Sequence, residues 1–445
     1  MDSGVGFPRR VPSGAIVEVM NKQSKLAAQP QTHRGTLSEV ELDSEEPPSS
    51  RPRRSAGSRS RTEDRRTRSL HPSLPQVQQQ PSRRRAAAVV LETETSFLPI
   101  VEVAPPAIRL RTLRQLDVVV LYSLALGLER GRPEDRIADE ETEAVASSVA
   151  AALEGRVRSV QRVPVWDDLP AVLSQLDPRQ HVIFNLVESL GGRAFSEPEV
   201  PRILQGMGFI HTGGPYVSLQ RTANKLTTKK LLEAAGLPTP RYQVFRHNGQ
   251  RSFKVPLPAI VKPVAEGGSF GITQESLVTT PEQLATRLHY CLETYRQPAL
   301  VEEYIVGREL NVALWGNDRP EVLPISEIRF DWTQDPLRQF VTFDSKWVAS
   351  SVEFHGTPGV CPAPLSPEEQ RRVEAAAMQA CQVLAVQGYA RVDMRLRDGV
   401  PYILEVNVNP DLASDAGFYR SAAAAGYSYA EMIAHILELA VFAHA

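Results

Sequence analysis

Apolar residues follow two alternating patterns along the chain from about residue 116 onward. Continuous apolar runs, such as "LDVVVLYSLAL" (116–126) and "HVIFNLVE" (181–188), are typical of strands that are covered on both faces. Between them, "DEETEAVASSVAAALEG" (139–155) has the pattern of a helix. Because strand and helix alternate, we expect a parallel sheet in a first α/β unit that ends near "GFIHTGG".

Capping residues mark the ends of later helices. One helix is predicted from Ser218, its N-cap, to Gly236, its C-cap, directly before the breaker "LPTP". Another is predicted over "SPEEQRRVEAAAMQACQVLAVQG", which begins with the capping box of Ser366 and Glu369 and ends at Gly388.

The strands "GYARVDMRL" and "PYILEVNV" place oxygen-bearing side chains on the faces of a predicted hairpin. Because successive side chains of a strand point to opposite faces, Glu405 and Asn407 lie on one face of the second strand. Together with Asp393 they offer only hard oxygen ligands, which suits Mg²⁺ better than zinc. The competing interpretation is a structural ion-pair network in which Arg391 and Arg395 neutralise the carboxylates.

The register of this hairpin decides whether the two carboxylates meet. A two-residue turn at Asp398 and Gly399 alone would pair Asp393 with Leu404 and leave Glu405 on the opposite face. An odd-length loop or a bulge would instead pair Asp393 with Glu405. We therefore predict such an irregularity, despite the strong Asp-Gly signal for a regular hairpin.

The segment "AIVKPVAEGGSFGI" is a predicted buried strand that leads into a glycine-rich loop. Lys262 ends the strand, and Gly267, Gly268 and Gly271 lie in the loop. Glycines let backbone N–H groups approach an anion closely, while a lysine supplies positive charge. The chain contains no GxxxxGK[ST] motif, so this is not a Walker loop. The glycine-rich loop, combined with the carboxylate pair, predicts a binding site for a nucleoside triphosphate.

Composition narrows the class of protein further. The chain has 445 residues with 23% charged, 42% hydrophobic and a formal net charge of −2, which is a globular balance sufficient for two or three domains. No apolar run reaches the ~18 residues of a membrane span, and "MDSGVGFPRRVPSG" lacks the charged-then-apolar pattern that we would expect of a secretory signal. The three cysteines form no CxxC pair. We therefore expect a cytoplasmic protein without a membrane segment or disulfide framework.

Residues 1 to about 107 have a composition typical of disorder. Within them, residues 51–85 contain eleven arginines against two acidic residues. The tail is either a solvated extension, a mis-assigned start, or a contact for nucleic acid or another acidic partner. The folded part has no aromatic-and-basic strand platform, so we do not expect it to bind nucleic acid.

From Leu116 to Ala440 the chain resembles the D-alanine–D-alanine ligases of the ATP-grasp superfamily. The shared motifs occur in order: "NKLTTKKLLEAAGLPTP", "PAIVKPVAEGGSFGI", "LVEEYIVGREL", "FDSKW", "GYARVDMRL" and "ILEVNVNP". The resemblance implies an α/β fold of ATP-grasp architecture. A Rossmann-like parallel-sheet domain (108–214) would precede a central subdomain (215–298) and a C-terminal catalytic subdomain (299–445), which clamp ATP between two antiparallel sheets.

The resemblance also implies roles for individual residues. The implied ATP-binding residues are Lys225, Lys262, Glu266, Gly267, Gly268, Ser269, Gly271, Glu302, Glu303, Ile305 and Glu309. Among these, Glu302 would hold adenine and Glu309 the ribose hydroxyls. Lys346 would reach the phosphates, and Arg391 would stabilise the reacting centre. The implied ligands of Mg²⁺, or of Mn²⁺ in its place, are Asp393, Glu405 and Asn407.

The activity implied by the resemblance is amide-bond formation from small molecules, an amino acid or other carboxylate and an amine. The carboxylate attacks the γ-phosphate of ATP to give an acyl phosphate, which the amine then attacks, so that ADP and phosphate are released. Members of the family often form homodimers, and the sequence leaves the oligomeric state open.

The sequence departs from the family on the substrate side. Asp411 stands where a glycine is expected, and Ala416 replaces a serine that binds the acceptor carboxylate. Glu188 replaces a histidine, and Glu140 only loosely matches the acid that holds the first substrate's amine. These acids favour a cationic or amine-rich substrate over a carboxylate-bearing acceptor. A true D-alanine–D-alanine ligase and a catalytically inactive ATP-binding scaffold are the alternatives.

Overall fold

A computed structural model describes residues 112–124, 131–193, 195–249 and 252–442, except for the side chains of residues 135–140. The predicted tail, residues 1 to 107, lies outside the described residues. None of the described helices is long and apolar enough to cross a membrane.

The first unit is built on a three-stranded parallel sheet with the strand order β2-β1-β3. Its elements in chain order are β1 (Asp117–Ser123), α1 (Arg136–Leu153), β2 (Ser159–Val165), α2 (Leu169–Leu173), β3 (His181–Leu186) and α3 (Glu199–Gly206). On β1, Val118 belongs to one core cluster with Val149 of α1, and Val119 belongs to another with Leu169 of α2. The central strand is thus covered on both faces, as its continuous apolar run predicted.

The helix predicted from Ser218 to Gly236 is instead two helices, α4 (Tyr216–Thr222) and α5 (Lys225–Ala234). The break occurs at Asn224, whose side-chain oxygen accepts hydrogen bonds from backbone N–H groups in the first turn of α5. Ser218 lies inside α4, so the predicted N-cap is wrong. Gly236, with a φ of +74°, does follow the end of α5.

The second sheet has four antiparallel strands in the order β4-β7-β5-β6. Its elements are β4 (Tyr242–Phe245), β5 (Ala259–Pro263), β6 (Leu277–Val278), α6 (Pro281–Tyr295) and β7 (Ala299–Glu303). Helix α6 starts with a capping box of Thr280 and Gln283. Its Leu284 and Leu288 share a core cluster with Val261 of β5. This packing anchors the strand that leads into the glycine-rich loop.

The third sheet has the order β11-β10-β8-β12-β13, with β9 also paired to β8. Its strands are β8 (Arg308–Gly316), β9 (Glu321–Val322), β10 (Ser326–Ile328), β11 (Gly359–Val360), β12 (Gly388–Arg397) and β13 (Val400–Val408). The helices of this region are α7 (Phe343–Trp347), α8 (Val352–His355), α9 (Pro367–Val383), α10 (Gly417–Ala424) and α11 (Tyr429–Phe442). Val373 of α9 shares a core cluster with Val392 of β12 and Val406 of β13.

Helix α9 begins as predicted, with Ser366 and Glu369 forming a reciprocal capping box. Its end differs from the prediction, because the last helical residue is Val383 and the left-handed position is occupied by Ala385, with a φ of +55°. Gly388 is instead the first residue of β12, with a φ of +77°. The positive φ of Gly388 therefore belongs to the entry into the strand rather than to the helix end.

The hairpin between β12 and β13 confirms the predicted irregularity. Asp398 and Gly399 form a two-residue turn in which both φ angles are positive, at 53° and 72°. The ladder then shifts by one residue next to Asp393, so that Leu404 is left without a partner and Asp393 faces Glu405. A regular two-residue hairpin would have separated the two carboxylates; the bulge brings them together.

The first unit meets the end of β13 at a close backbone approach. The N–H of Gly214 donates a hydrogen bond to the Oδ1 atom of Asn409 at 2.8 Å. Gly213 has a φ of +90°, and a Cβ added there would lie 2.2 Å from the same Oδ1 atom. Only glycine fits this position without strain.

Substitution of Gly213 by alanine should therefore destabilise the fold. We expect the free energy of unfolding to fall by roughly 1–3 kcal/mol, the usual cost of a strained backbone position. Gly206→Ala is the matched control, because a Cβ there has no neighbour within 4 Å. Urea unfolding of both variants tests this, and an equal change in the two would contradict the proposed contact.

Candidate active site

One cavity, of about 280 Å³, lies between the end of β3, the loop after β5 and the end of β13. The predicted site residues that line it are Glu188, Lys225, Glu266, Gly267, Gly268, Lys346, Arg391, Glu405, Asn407 and Asp411. These residues come from the third sheet, from the loops that follow β3, β5 and β13, and from helices α5 and α7. Residues far apart in sequence thus line one cavity.

Asp393 is held in place from three sides. Arg391 donates two hydrogen bonds to its carboxylate, from Nε at 2.7 Å and from a terminal nitrogen at 2.9 Å. The side-chain amides of Asn311 and Asn407 donate two more, at 2.7 Å and 2.8 Å. Sequence reasoning missed Asn311, although it is paired with Asp393 in the ladder between β8 and β12.

Glu405, the partner of Asp393 across the hairpin, forms an ion pair with Lys225. The Nζ atom of Lys225 lies 2.7 Å from Oε1 of Glu405, and it also donates a hydrogen bond to the backbone oxygen of Glu266. Burial would raise the pKa of Glu405, but Lys225, followed by Lys262, outweighs it and lowers the pKa. Lys225 therefore links the glycine-rich loop to the carboxylate pair.

The donor set fits a hard cation that takes its remaining ligands from elsewhere. Among the described residues, no group of three His, Cys, Asp or Glu side chains could enclose a metal. Two carboxylates with one amide suit Mg²⁺, which commonly binds one or two carboxylates together with phosphates and water. The purely structural interpretation holds in part: Arg391 does pair with Asp393, but Arg395 pairs with Glu309, at 2.8 Å, instead.

A second charged group lies behind the cavity, between α5, β5 and β7. Glu302 is only 3% exposed and forms ion pairs with Lys262, at 2.5 Å, and with Lys229. Burial alone would raise the pKa of Glu302, but the two lysines together lower it to about 2. Sequence reasoning missed Lys229, which lies one helical turn after Lys225; that spacing was the available signal.

The glycine-rich loop is tied to helix α7. The φ angles of Gly268, Ser269 and Gly271 are all positive, at 56°, 64° and 69°. The indole N–H of Trp347 donates a hydrogen bond to the backbone oxygen of Gly268 at 2.7 Å. The Nζ atom of Lys346 lies 4.5 Å from the centre of the Trp347 ring, within cation–π distance. Trp347 therefore contacts both the glycine-rich loop and Lys346, the lysine that is predicted to reach the phosphates.

Two of the three acidic residues predicted on the substrate side can be placed in the structure. Glu188 and Asp411 line the cavity, and Oδ1 of Asp411 accepts a hydrogen bond from the N–H of Ala413 at 2.8 Å. The side chain of Glu140 lies outside the described residues. The neighbouring Glu141 lines the cavity, where burial, followed by Asp411, raises its pKa. Sequence reasoning missed Glu141 because the preceding loop is longer than usual.

The remaining predicted residues lie beside the cavity rather than along it. They are Lys262, Ser269, Gly271, Glu302, Glu303, Ile305, Glu309 and Asp393. Glu303 lies 3.4 Å from Arg397, and Ile305 is buried. Burial raises the pKa of Glu309 despite its contact with Arg395. Their roles toward a nucleotide stay predictions.

Replacement of Glu302 by glutamine should destabilise the protein strongly, because it leaves two buried lysines without a counter-charge. We expect a loss of roughly 3–5 kcal/mol in the free energy of unfolding, measured in urea. The control is Glu368→Gln, which breaks an exposed pair with Arg372 and should cost less than about 1 kcal/mol. Similar losses in both variants would show that Glu302 is not a buried counter-charge.

The same group predicts a pH dependence. The pKa of Glu302 is lowered from its ordinary 4.5 to about 2. The ionised Glu302 therefore contributes fully to the free energy of unfolding above pH 4.5, and this contribution is lost as the pH falls toward 2. The total is roughly 3 kcal/mol at 1.36 kcal/mol per pKa unit. The stability difference between the wild type and Glu302→Gln should thus narrow from pH 5 downward. A difference that stays constant to pH 3 would contradict this.

Comparisons with known proteins relate the chain to one family. A family model described as "D-ala D-ala ligase C-terminus" matches residues 231–438. The chain is 35% identical over 263 residues to the uncharacterized protein y4sG of Sinorhizobium fredii, covering 58% of this chain and 74% of the relative. It is 31% identical over 260 residues to the D-alanine–D-alanine ligase of Pseudothermotoga lettingae, covering 58% and 81%.

Two further comparisons extend this match. The D-alanine–D-alanine ligase of Desulforudis audaxviator is 30% identical over 302 residues, covering 66% of this chain and 91% of the relative. The crystal structure of the Bacillus anthracis D-alanine–D-alanine ligase complexed with ATP superimposes with a TM-score of 0.58 at 21% identity, covering 74% of this chain and 98% of that one. The chain therefore belongs to the D-alanine–D-alanine ligase family and has the ATP-grasp fold.

Proposed function

We propose that the protein is an ATP- and Mg²⁺-dependent ligase that joins a carboxylate to an amine through an acyl phosphate, with a substrate pocket altered from that of D-alanine–D-alanine ligases. One observation carries the proposal: Asp393 and Glu405 face each other across the hairpin beside Arg391 and Lys225, at the edge of one cavity. Membership of a family of ATP-dependent ligases supports the same reaction class.

Asp393, Glu405 and Asn407 would hold Mg²⁺ together with phosphate oxygens. The ion supplies neutralisation of the charge that develops on the transferring phosphoryl group. In this arrangement Lys225 would turn from Glu405 toward the phosphates, which its long, flexible side chain allows. Mn²⁺ suits the same oxygen ligands.

The nucleotide would lie between the second and third sheets. The loop from Glu266 to Ile272 would cover the phosphates with its backbone N–H groups, and Lys346 would add positive charge from α7. Lys262 and Glu302 would lie near adenine, and Glu309 near the ribose hydroxyls. The buried partners of these side chains, Lys229 among them, support their positions.

The chain's own contribution to the reaction is mainly positioning and charge stabilisation. A substrate carboxylate oxygen bonds to the γ-phosphorus as the bond to the bridging oxygen breaks and ADP leaves. The amine nitrogen then attacks the acyl carbon and loses a proton, and phosphate leaves. Arg391, fixed by its two hydrogen bonds to Asp393, would stabilise the oxyanion of the tetrahedral intermediate.

Two alternatives are distinguishable by product. A true D-alanine–D-alanine ligase, the activity named for the relatives in Pseudothermotoga and Desulforudis, would form the dipeptide from D-alanine alone. Against it, Asp411 should repel a carboxylate-bearing acceptor. A catalytically inactive scaffold would bind ATP without cleaving it, yet the proposed catalytic and metal-binding side chains are all present.

Substitution of Arg391 by alanine should lower turnover by roughly 10²–10³, the usual cost of losing one donor to a developing oxyanion. Arg308→Ala is the matched control, because Arg308 also holds a carboxylate with two hydrogen bonds, to Glu327, in the same sheet but away from the cavity. Steady-state kinetics of both variants test this. Equal turnover in the wild type and Arg391→Ala would remove Arg391 from the mechanism.

The proposed activity is tested by phosphate release from ATP and Mg²⁺ across D- and L-amino acids, hydroxy acids and amines, with products identified by mass. We expect release that depends on one substrate pair and is abolished in Glu405→Ala. Dipeptide formation from D-alanine alone would favour the first alternative. Bound ATP with no release for any pair would favour the inactive scaffold.

A further inference from the structure

Four polar side chains of the cavity wall form a group apart from the Asp393–Glu405 pair. Glu188 and Glu197 follow β3, Tyr389 lies on β12, and Asp411 follows β13; all four line the cavity. We call this group the acidic recess. The residues belong to separate segments of the chain, and only the tertiary fold brings them together.

The two glutamates of the acidic recess lie close enough to influence each other. Burial, followed by the charge of Glu188, raises the pKa of Glu197 well above its ordinary value. Within the described part of the chain, no hydrogen bond or ion pair reaches the Glu197 carboxyl group. By contrast, Glu199, two residues further on, pairs with Arg193 at 3.4 Å. Glu197 thus faces the cavity without a counter-charge from a described residue.

Tyr389 supplies the second, independent observation. It is only 1% exposed, its ring packs against Phe418 with centroids 5.5 Å apart, and it lines the cavity. No described residue forms a hydrogen bond with its hydroxyl group. A buried tyrosine hydroxyl usually has a partner, because leaving it without one is costly. A hydroxyl that faces a cavity without a protein partner indicates a polar ligand.

The chemistry of the acidic recess selects the kind of ligand. Three carboxyl groups disfavour an anion when they are ionised, and together with the phenol oxygen they offer acceptors to a donor-rich cation. A primary ammonium group has three N–H donors and needs acceptors on several sides. The reacting carboxylate and the phosphates would lie instead near Arg391, Lys225 and Lys346.

We propose that the acidic recess binds an additional ammonium group of a substrate, which is neither the amine that reacts nor the α-ammonium of an amino acid that donates its carboxylate. One of the two substrates is therefore a diamino compound, such as a basic amino acid or a diamine. Glu197 and Tyr389 act as specificity-determining residues, with Glu188 and Asp411 beside them. This inference rests on the proposed ligase activity.

Matched substrate pairs test the inference. Lysine is compared with norleucine, and 1,3-diaminopropane with propylamine, each in the phosphate-release assay with product masses determined. We expect kcat/KM to be at least about 10²-fold higher for the ammonium-bearing member, because a site built around polar contacts rejects analogues that lack the partner. Product mass assigns the ammonium to the carboxylate-donating or the amine-donating substrate. Equal kcat/KM within both pairs, with phosphate release intact, would overturn the inference while leaving the proposed function standing.

Substitutions in the acidic recess test whether its residues cause the preference for ammonium-bearing substrates. Glu197→Gln should raise KM for the ammonium-bearing substrate by roughly 10-fold or more, and Tyr389→Phe by roughly 5–10-fold, the cost of one hydrogen bond. The KM for ATP should stay unchanged in both. Glu199→Gln, two residues after Glu197 and paired with Arg193 instead, should leave both KM values unchanged. An unchanged substrate KM in Glu197→Gln and Tyr389→Phe would overturn the assignment.

A binding measurement separates this inference from the proposed activity. If no substrate pair releases phosphate, lysine and 1,3-diaminopropane are titrated calorimetrically into the full chain with Mg²⁺ and a non-hydrolysable ATP analogue. Binding that weakens about 10-fold in Glu197→Gln would support the acidic recess although the proposed ligase activity had failed. An absence of binding to the folded wild type would overturn the recess as well.

Discussion

The pairing of Asp393 with Glu405 across one hairpin is the constraint on which the rest of the site depends. Two carboxylates on adjacent strands repel each other unless cations lie beside them. Arg391 supplies one of these cations from the same strand as Asp393, and Lys225 supplies the other from helix α5. The bulge at Leu404 makes the pairing possible, because a regular ladder after the two-residue turn would place the carboxylates on opposite faces.

Further ion pairs of lysine and glutamate lie next to this carboxylate pair. Lys225 bridges Glu405 to the glycine-rich loop, and one helical turn later Lys229 pairs with Glu302 beneath it. A buried charge is tolerated only when it is paired, so each of these groups depends on its neighbour. The arrangement positions cations beside the glycine-rich loop. The acidic recess provides the opposite sign elsewhere on the wall of the same cavity.

Much of this architecture follows from local rules that a sequence displays. The parallel sheet follows from the buried apolar runs, and the start of α9 follows from its capping box. An irregularity in the hairpin was predictable, because the two carboxylates could meet only through an odd-length loop or a bulge, and the structure has the bulge. The broken helix was missed because Asn224 was not recognised as an N-cap inside a continuous apolar pattern. Gly388 was misassigned because Ala385 took the left-handed position.

The cavity wall was harder to predict, for a physical reason. Glu141, Glu197 and Tyr389 matter through the neighbours that tertiary packing brings to them, and no spacing within one element relates these residues to one another. Asn311 likewise meets Asp393 only through strand order in the sheet. On the nucleotide side, residues could be predicted because they match a known motif. On the substrate side the sequence departs from that motif, so the residues of the cavity wall could be identified only from the fold.

The central claim is that the hairpin carboxylates hold a divalent cation under a nucleotide. Electron paramagnetic resonance of Mn²⁺ titrated into the protein, with and without a non-hydrolysable ATP analogue, tests it most directly. We expect the analogue to tighten Mn²⁺ binding and both Asp393→Asn and Glu405→Gln to weaken it, while Glu368→Gln binds Mn²⁺ as the wild type does. Mn²⁺ binding that is indifferent to the nucleotide and to both hairpin substitutions would contradict the account.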